Sequence, residues 1–145
     1  MVNVLVDTSF LIIMANRPVG GIERLETSLG KVEFLIPDVV VRELERIAGG
    51  AGVKRAKEAK AALQMVNYSR FKFSIIDLSE YARTGSRGGK RYSGSGGSTM
   101  VDDLIVEYAE STRCYVATLD KGMIKRLKGR CAGIVTLQDD MIIVV

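Results

Sequence analysis

Two aspartates follow apolar runs that are typical of buried strands. Asp7 comes directly after Val2–Val6, and Asp120 comes shortly after residues 115–118. In an open parallel sheet the carboxyl ends of the strands meet at one edge, so we expect the two side chains to lie close together. A single aspartate in this position is more often a turn or helix-capping residue. Two of them on one short sheet favour a site that uses carboxylates.

Two further carboxylates border the apolar sides of predicted helices. On a wheel of about 100° per residue, Glu43 lies roughly 70° from the centre of the apolar side of its helix, and Glu45 roughly 130° away. Asp102 borders the apolar stripe of a later helix, whereas Asp103 lies nearly opposite that stripe and is kept as a reserve candidate. The alternative for Glu43 is a surface ion pair with a residue such as Arg46, which would contribute little to stability.

The absence of histidine restricts the chemistry that these residues can perform. The chain contains no histidine and two cysteines, which excludes Ser-His-Asp hydrolases, Cys-His proteases, histidine-based ribonucleases and most zinc hydrolases. Two carboxylates about 4 Å apart repel by about 4 kcal/mol at an effective dielectric of 20, so a convergent set needs a cation. Oxygen ligands select Mg²⁺ or Mn²⁺. We therefore expect a convergent set of these carboxylates to hold a divalent cation.

The elements that must position these carboxylates alternate between strand and helix. A mostly parallel sheet flanked by helices is therefore expected, in a single domain spanning residues 1–145. No apolar run approaches the roughly 20 residues of a membrane span, and signal-peptide features are missing, so we expect a cytoplasmic protein. Strands are predicted at Val2–Val6, 32–36, 71–76, 114–118, 134–137 and 141–145, and helices at 8–14, Ile22–Leu29, 38–48, 54–67, 101–111 and 122–127.

Residues 84–99 interrupt this alternation. The stretch consists mostly of Gly, Ser, Arg and Lys, and it predicts a mobile loop because it has too little apolar surface to bury. Basic side chains can neutralise phosphates and an aromatic ring can stack on an unpaired base, which makes Arg87, Lys90, Arg91 and Tyr92 candidate RNA-binding residues. A solvated linker is the alternative. The net charge of +4 and the pI of about 9.2 are compatible with a polyanionic partner.

Four segments of the chain together resemble the acidic motifs of PIN-domain nucleases, in the family's order. They are VLVDTSFLI at 4–12, VVVRELERI at 39–47, VDDLIVEYA at 101–109 and VATLDKGMIKRLK at 116–128. The resemblance implies a three-layer α/β/α fold with a central, mostly parallel sheet, and metal-dependent cleavage of single-stranded RNA. It also implies an acidic site of Asp7, Glu43, Asp102 and Asp120, with Thr8 or Ser9 and Thr118 as hydroxyl groups beside the metal. Our hypothesis is that Asp7 is the principal metal ligand, that Asp102 and Asp120 hold the same ion or a second one, and that Glu43 orients a metal-bound water. The loop before Asp102 is richer in glycine than is usual in the family.

Several roles remain open. The last two segments are most similar to PIN nucleases that process small-subunit ribosomal RNA, but a VapC-type toxin has the same acidic set and a similar length. The resemblance suggests RNA as partner, possible homodimers, and either an antitoxin or ribosome-assembly factors as protein partners. The competing α/β classes are a phosphatase, which needs an aspartate where this chain has Ser9, and a receiver, for which Asp77 is a weak acceptor candidate. A non-catalytic binding module is the third class.

Overall fold

The computed structural model describes residues 1–18, 20, 22–50, 52–68, 73–78 and 100–145. The predicted loop at 84–99 lies outside the described residues, and so do its four candidate RNA-binding residues Arg87, Lys90, Arg91 and Tyr92. Within the described part of the chain, no helix is long and apolar enough to cross a membrane.

A six-stranded sheet with the order β3-β2-β1-β4-β5-β6 forms the centre of the described structure. The first five strands are parallel and β6 is antiparallel to β5. Val4 of β1 is aligned with Phe34 of β2 on one side and Tyr115 of β4 on the other. The prediction of a mostly parallel sheet is confirmed. The strands are β1 Val2–Val6, β2 Val32–Pro37, β3 Phe73–Ile76, β4 Tyr115–Ala117, β5 Gly133–Gln138 and β6 Met141–Val144.

Helices complete the three-layer α/β/α arrangement that the sequence predicts. Helices α1, α3 and α4 pack against one another, whereas α5 and α6 form a separate contact and α2 packs against β2 and β6. Gly30 ends α2 with a φ of 84°, a conformation that glycine adopts without strain. The helices described are α1 Thr8–Asn16, α2 Ile22–Leu29, α3 Asp38–Ala48, α4 Val53–Tyr68, α5 Met100–Thr112 and α6 Lys121–Leu127.

The predicted boundaries differ from the observed ones by one or two residues. Helix α1 continues beyond residue 14 to Asn16, where the Arg17 N–H donates to the Ile13 carbonyl. Strand β4 is shorter than predicted and ends at Ala117, although the Thr118 N–H still donates to the Val135 carbonyl. Strand β3 begins at Phe73, and residues 71 and 72 of the prediction lie outside the described residues.

The strand order reverses direction between β1 and β4. From β1 the chain continues outward through β2 to β3, and from β4 it continues outward through β5 to β6. A crevice forms beyond the carboxyl ends of the strands at such a switch point, and it is where open α/β sheets bind ligands. The Asp7 N–H donates to the Ala117 carbonyl at 3.1 Å, which fixes the ends of β1 and β4 next to each other.

Candidate active site

A cleft of about 380 Å³ opens at this switch point. All four carboxylates predicted from the sequence line it, although they come from the ends of two strands and from two separate helices. The described lining residues are Asp7, Thr8, Ser9, Ile12, Glu43, Ile47, Arg55, Val101, Asp102, Leu119 and Asp120.

Asp7 is the most buried of the four carboxylates and is held by three hydrogen-bond donors. It is only 5% exposed. Its Oδ1 accepts from the Phe10 N–H at 2.9 Å and from the Ser9 hydroxyl at 3.0 Å, and its Oδ2 accepts from the Thr118 hydroxyl. Thr118 is fully buried, and its Oγ1 accepts in turn from the Asp120 N–H at 3.1 Å. Thr118 therefore connects two of the predicted site residues.

Burial makes Asp7 a weaker acid than an ordinary aspartate. Removal from water raises its pKa from 3.8 to about 6, against the opposing effect of hydrogen bonds from Thr118, Phe10 and Ser9. The negative charge of Asp102 makes a smaller contribution to the same rise. Because both burial and Asp102 disfavour the ionised form of Asp7, a positive ion in the cleft would stabilise that form.

Glu43 is half-buried and faces the cleft from α3. Its Oε2 accepts a hydrogen bond from the Thr8 hydroxyl at 3.2 Å, which joins α3 to the first turn of α1. No ion pair connects Glu43 to Arg46, both of which are described residues. Glu45 is exposed, as the helical wheel indicated.

Asp120 combines the two interpretations that the sequence left open. It is exposed and lines the cleft, and it is also the N-cap of α6. Its Oδ1 accepts from the Gly122 N–H at 2.8 Å and the Met123 N–H at 3.3 Å. Asp7 caps α1 in the same way through Phe10. Capping and a position in the cleft are therefore compatible for both aspartates.

The two adjacent aspartates of α5 have different surroundings. Asp102 is half-buried and lines the cleft. Asp103 is absent from the described lining, and its Oδ1 instead accepts from Arg126 of α6 at 2.8 Å. Although the helical wheel places Asp103 nearly opposite the apolar stripe, its side chain is only 17% exposed. Its position favours a role in holding α5 against α6.

Sequence reasoning missed five residues of the cleft. Four are apolar and line its walls, and the fifth is Arg55 of α4, the one cation in the described lining. A signal for Arg55 was present, because it lies four and seven residues before the buried Ala59 and Ala62 and so shares their side of the helix. The apolar residues are Ile12, Ile47, Val101 and Leu119.

The donor atoms around the cleft fit a hard divalent cation. They are carboxylate and hydroxyl oxygens, and the chain contains no histidine. In the part of the chain that the structure describes, no group of three or more acidic or cysteine side chains is close enough to hold a metal ion. Asp7, Asp102 and Asp120 would be its ligands, and they would have to approach one another to share it.

The receiver and phosphatase alternatives gain no support from this geometry. Ser9 stands where the phosphatase needs a second aspartate, and it donates a hydrogen bond to Asp7. Asp77 follows β3, which lies at the outer edge of the sheet, and it is absent from the described lining of the cleft. The receiver's acceptor position is therefore separated from the four carboxylates.

Solved structures with the same fold identify the architecture. The PIN domain endonuclease Utp24 has a TM-score of 0.64 and 24% identity, over 98% of this chain and 90% of that one. A chain of VapBC2 from Rickettsia felis, solved bound to a DNA fragment from the VapBC2 promoter, has a TM-score of 0.60 and 15% identity. The match covers 94% of this chain and 99% of that one. A domain of a functionally unknown protein from Methanocaldococcus jannaschii DSM 2661 has a TM-score of 0.55 and 22% identity, over 95% of this chain and 92% of that one.

The chain therefore has the PIN-domain fold, as the four sequence segments predicted. No protein-family model matches the sequence, and a search of curated proteins finds no match either.

Proposed function

We propose that this protein is a metal-dependent endoribonuclease that cuts single-stranded RNA. The observation that carries the proposal is the meeting of Asp7, Glu43, Asp102 and Asp120 in one cleft at the switch point of a PIN fold. The fold similarity to the PIN domain endonuclease Utp24 supports it.

The side chains suggest a division of roles. Asp7, Asp102 and Asp120 would hold Mg²⁺ or Mn²⁺, which when bound supplies Lewis-acid stabilisation of the charge that develops on the phosphoryl and leaving oxygens. Thr118 fixes the orientation of Asp7. The Thr8 hydroxyl donates a hydrogen bond to Oε2 of Glu43, and Oε1 of Glu43 would accept a hydrogen bond from the attacking water.

A cleavage assay with matched variants tests this proposal. A labelled single-stranded RNA is incubated with Mn²⁺, Mg²⁺ or EDTA, beside a structured RNA and single-stranded DNA. We expect cleavage of the single-stranded RNA only with metal, and a loss of at least roughly 100-fold in Asp7→Asn and Glu43→Gln. Glu45→Gln is the control, because Glu45 lies on the same helix but is exposed. Equal cleavage by Asp7→Asn and the wild type would refute the assignment of the site.

The biological role that we propose is RNA processing, with ribosomal RNA as the substrate. A VapC-type toxin ribonuclease is the second candidate, favoured by the fold similarity to a chain of the VapBC2 structure, 99% of which is covered by the match. Expression of the wild type and of Asp7→Asn, with and without a neighbouring gene, separates the two. A toxin stops growth unless the neighbouring antitoxin is present, whereas a processing enzyme leaves growth unaffected and its depletion causes precursor RNA to accumulate.

We also propose that the chain acts as a single domain in the cytoplasm, with RNA as its principal partner and no membrane association. Homodimers are proposed on the resemblance alone, and the protein partner would be an antitoxin or a ribosome-assembly factor, according to the role. Light scattering of the purified protein tests the dimer, and co-purification tests the protein partners.

A further inference from the structure

We propose that Arg55 binds the RNA phosphate next to the one that is cut. This inference rests on the proposed nuclease function and assigns a substrate-binding role to a residue outside the acidic set. Its starting point is that Arg55 is the one cation in a described cleft lining that contains four carboxylates.

The position of Arg55 is fixed by the packing of α4. This helix contacts both α1 and α3, and its inner side carries the buried Ala56, Ala59 and Ala62. The Asn16 side chain at the end of α1 also donates to the Glu58 carbonyl of α4 at 3.0 Å. The backbone of α4 at Arg55 is therefore held against α1 and α3, the helices that carry Thr8 and Glu43. The Arg55 side chain itself is exposed.

The cleft extends along α1 and α3 away from the ends of the strands. Ile12 lies four residues after Thr8, and Ile47 lies four residues after Glu43, so each is slightly more than one turn, or about 6 Å, further along its helix. These two apolar residues and Arg55 line the part of the cleft that belongs to the three packed helices. A nucleotide adjacent to the cleavage site can rest on such an apolar surface and direct its phosphate to Arg55.

The charge of Arg55 is available to a ligand. Although four carboxylates line the same cleft, Arg55 forms no ion pair with any of the described side chains. Its guanidinium group is planar and always protonated, and it binds phosphate oxygens through two parallel hydrogen bonds. A guanidinium group separated from the carboxylates matches a flanking phosphate better than the scissile one, which must lie among the carboxylates.

Steady-state kinetics on a short single-stranded RNA test this assignment. We expect Arg55→Ala to raise KM by roughly ten- to hundredfold with little change in kcat, because a flanking contact binds substrate and transition state equally. Arg55→Lys should recover part of the loss. The control is Lys57→Ala, which removes the same charge from an exposed position of α4 outside the described lining. Equal KM values for Arg55→Ala and Lys57→Ala would overturn the proposal.

A substrate modification identifies the phosphate that Arg55 contacts. A methylphosphonate linkage removes the charge of one chosen flanking phosphate. It should raise KM for the wild type and for Lys57→Ala, and it should leave KM unchanged for Arg55→Ala. A merely structural role of Arg55 would instead give the same sensitivity to the modified linkage in all three proteins, and that result would also overturn the proposal.

An equilibrium measurement separates a failure of this inference from a failure of the proposed function. Binding of the same RNA to the wild type and both variants is followed by fluorescence anisotropy in EDTA at several salt concentrations. Arg55→Ala alone should lower the slope of log K against log salt by about 0.7. If the wild type fails to cleave but shows this difference, the nuclease function falls and the phosphate contact stands. If the wild type cleaves and the slopes are equal, only the Arg55 assignment falls.

Discussion

Replacement of Asp7 by Asn should stabilise the metal-free protein at neutral and alkaline pH. The buried carboxylate of the wild type must ionise there without a cation, whereas asparagine stays neutral. Two of the three hydrogen bonds can be kept, because the Asn oxygen can accept from Phe10 and Ser9. The third reverses its direction, because the Asn amide donates to the Thr118 oxygen where the Thr118 hydroxyl donates to Asp7.

The size of the effect follows from the pKa of Asp7. It is raised from 3.8 to about 6, and roughly two units at about 1.4 kcal/mol each give about 3 kcal/mol. Below pH 3.8 the carboxyl group is protonated in both folded and unfolded states, so it carries no ionisation penalty. As the pH rises the unfolded state ionises first, and the wild type loses stability relative to the variant until about pH 6, above which the difference is constant.

Urea unfolding of both proteins in EDTA, from pH 3.5 to 8, measures this difference. The free energy of unfolding of Asp7→Asn minus that of the wild type should increase by about 3 kcal/mol between pH 3.5 and pH 7. Millimolar Mn²⁺ at pH 7 should then reduce this difference in the free energy of unfolding, because the ion stabilises only the protein that retains the carboxylate. A difference that does not change with pH would refute the argument that Asp7 is buried without a compensating charge.

Three further predictions concern Thr118, Arg126 and Asp120. Thr118→Val should lower cleavage by roughly tenfold or more while the protein stays folded, as judged by circular dichroism, because Asp7 loses a donor that favours its ionised form. Arg126→Ala should leave cleavage unchanged and lower the free energy of unfolding by about 1 kcal/mol or less, because its ion pair with Asp103 is partly exposed. Asp120→Ala should lose cleavage and about 1 kcal/mol of stability in urea unfolding, whereas Asp120→Asn should lose cleavage alone, since asparagine is an equally good N-cap.

Local geometry is the reason why the acidic residues could be found in the sequence. The period of a helix and the alternation of strands and helices depend on short-range patterns, and they were sufficient to bring Glu43 and Asp102 to the border of the buried face. The same patterns placed Asp7 and Asp120 at the carboxyl ends of two strands of one sheet. All four residues line the observed cleft.

The residues that were missed depend on contacts between distant segments. The spacing within α4 indicates on which side of the helix Arg55 lies, but that side reaches the cleft only because α4 packs against α1 and α3, which the spacing does not determine. Asp103 lies on the outer side of α5, but α6 covers that side and supplies Arg126. The helical wheel could not show this, because it relates each residue to its own helix and not to the neighbouring one.

The capping hydrogen bonds of Asp7 and Asp120 affect how degenerate homologues should be interpreted. A descendant that had lost catalysis would still need these two aspartates, or asparagines, to begin its helices, so their persistence says little about whether a relative is active. Glu43 lies in the interior of α3, whose N-cap is Pro37, so helix capping would not preserve it and drift would erase it sooner. Glu43 is therefore the better marker for separating active nucleases from inactive copies.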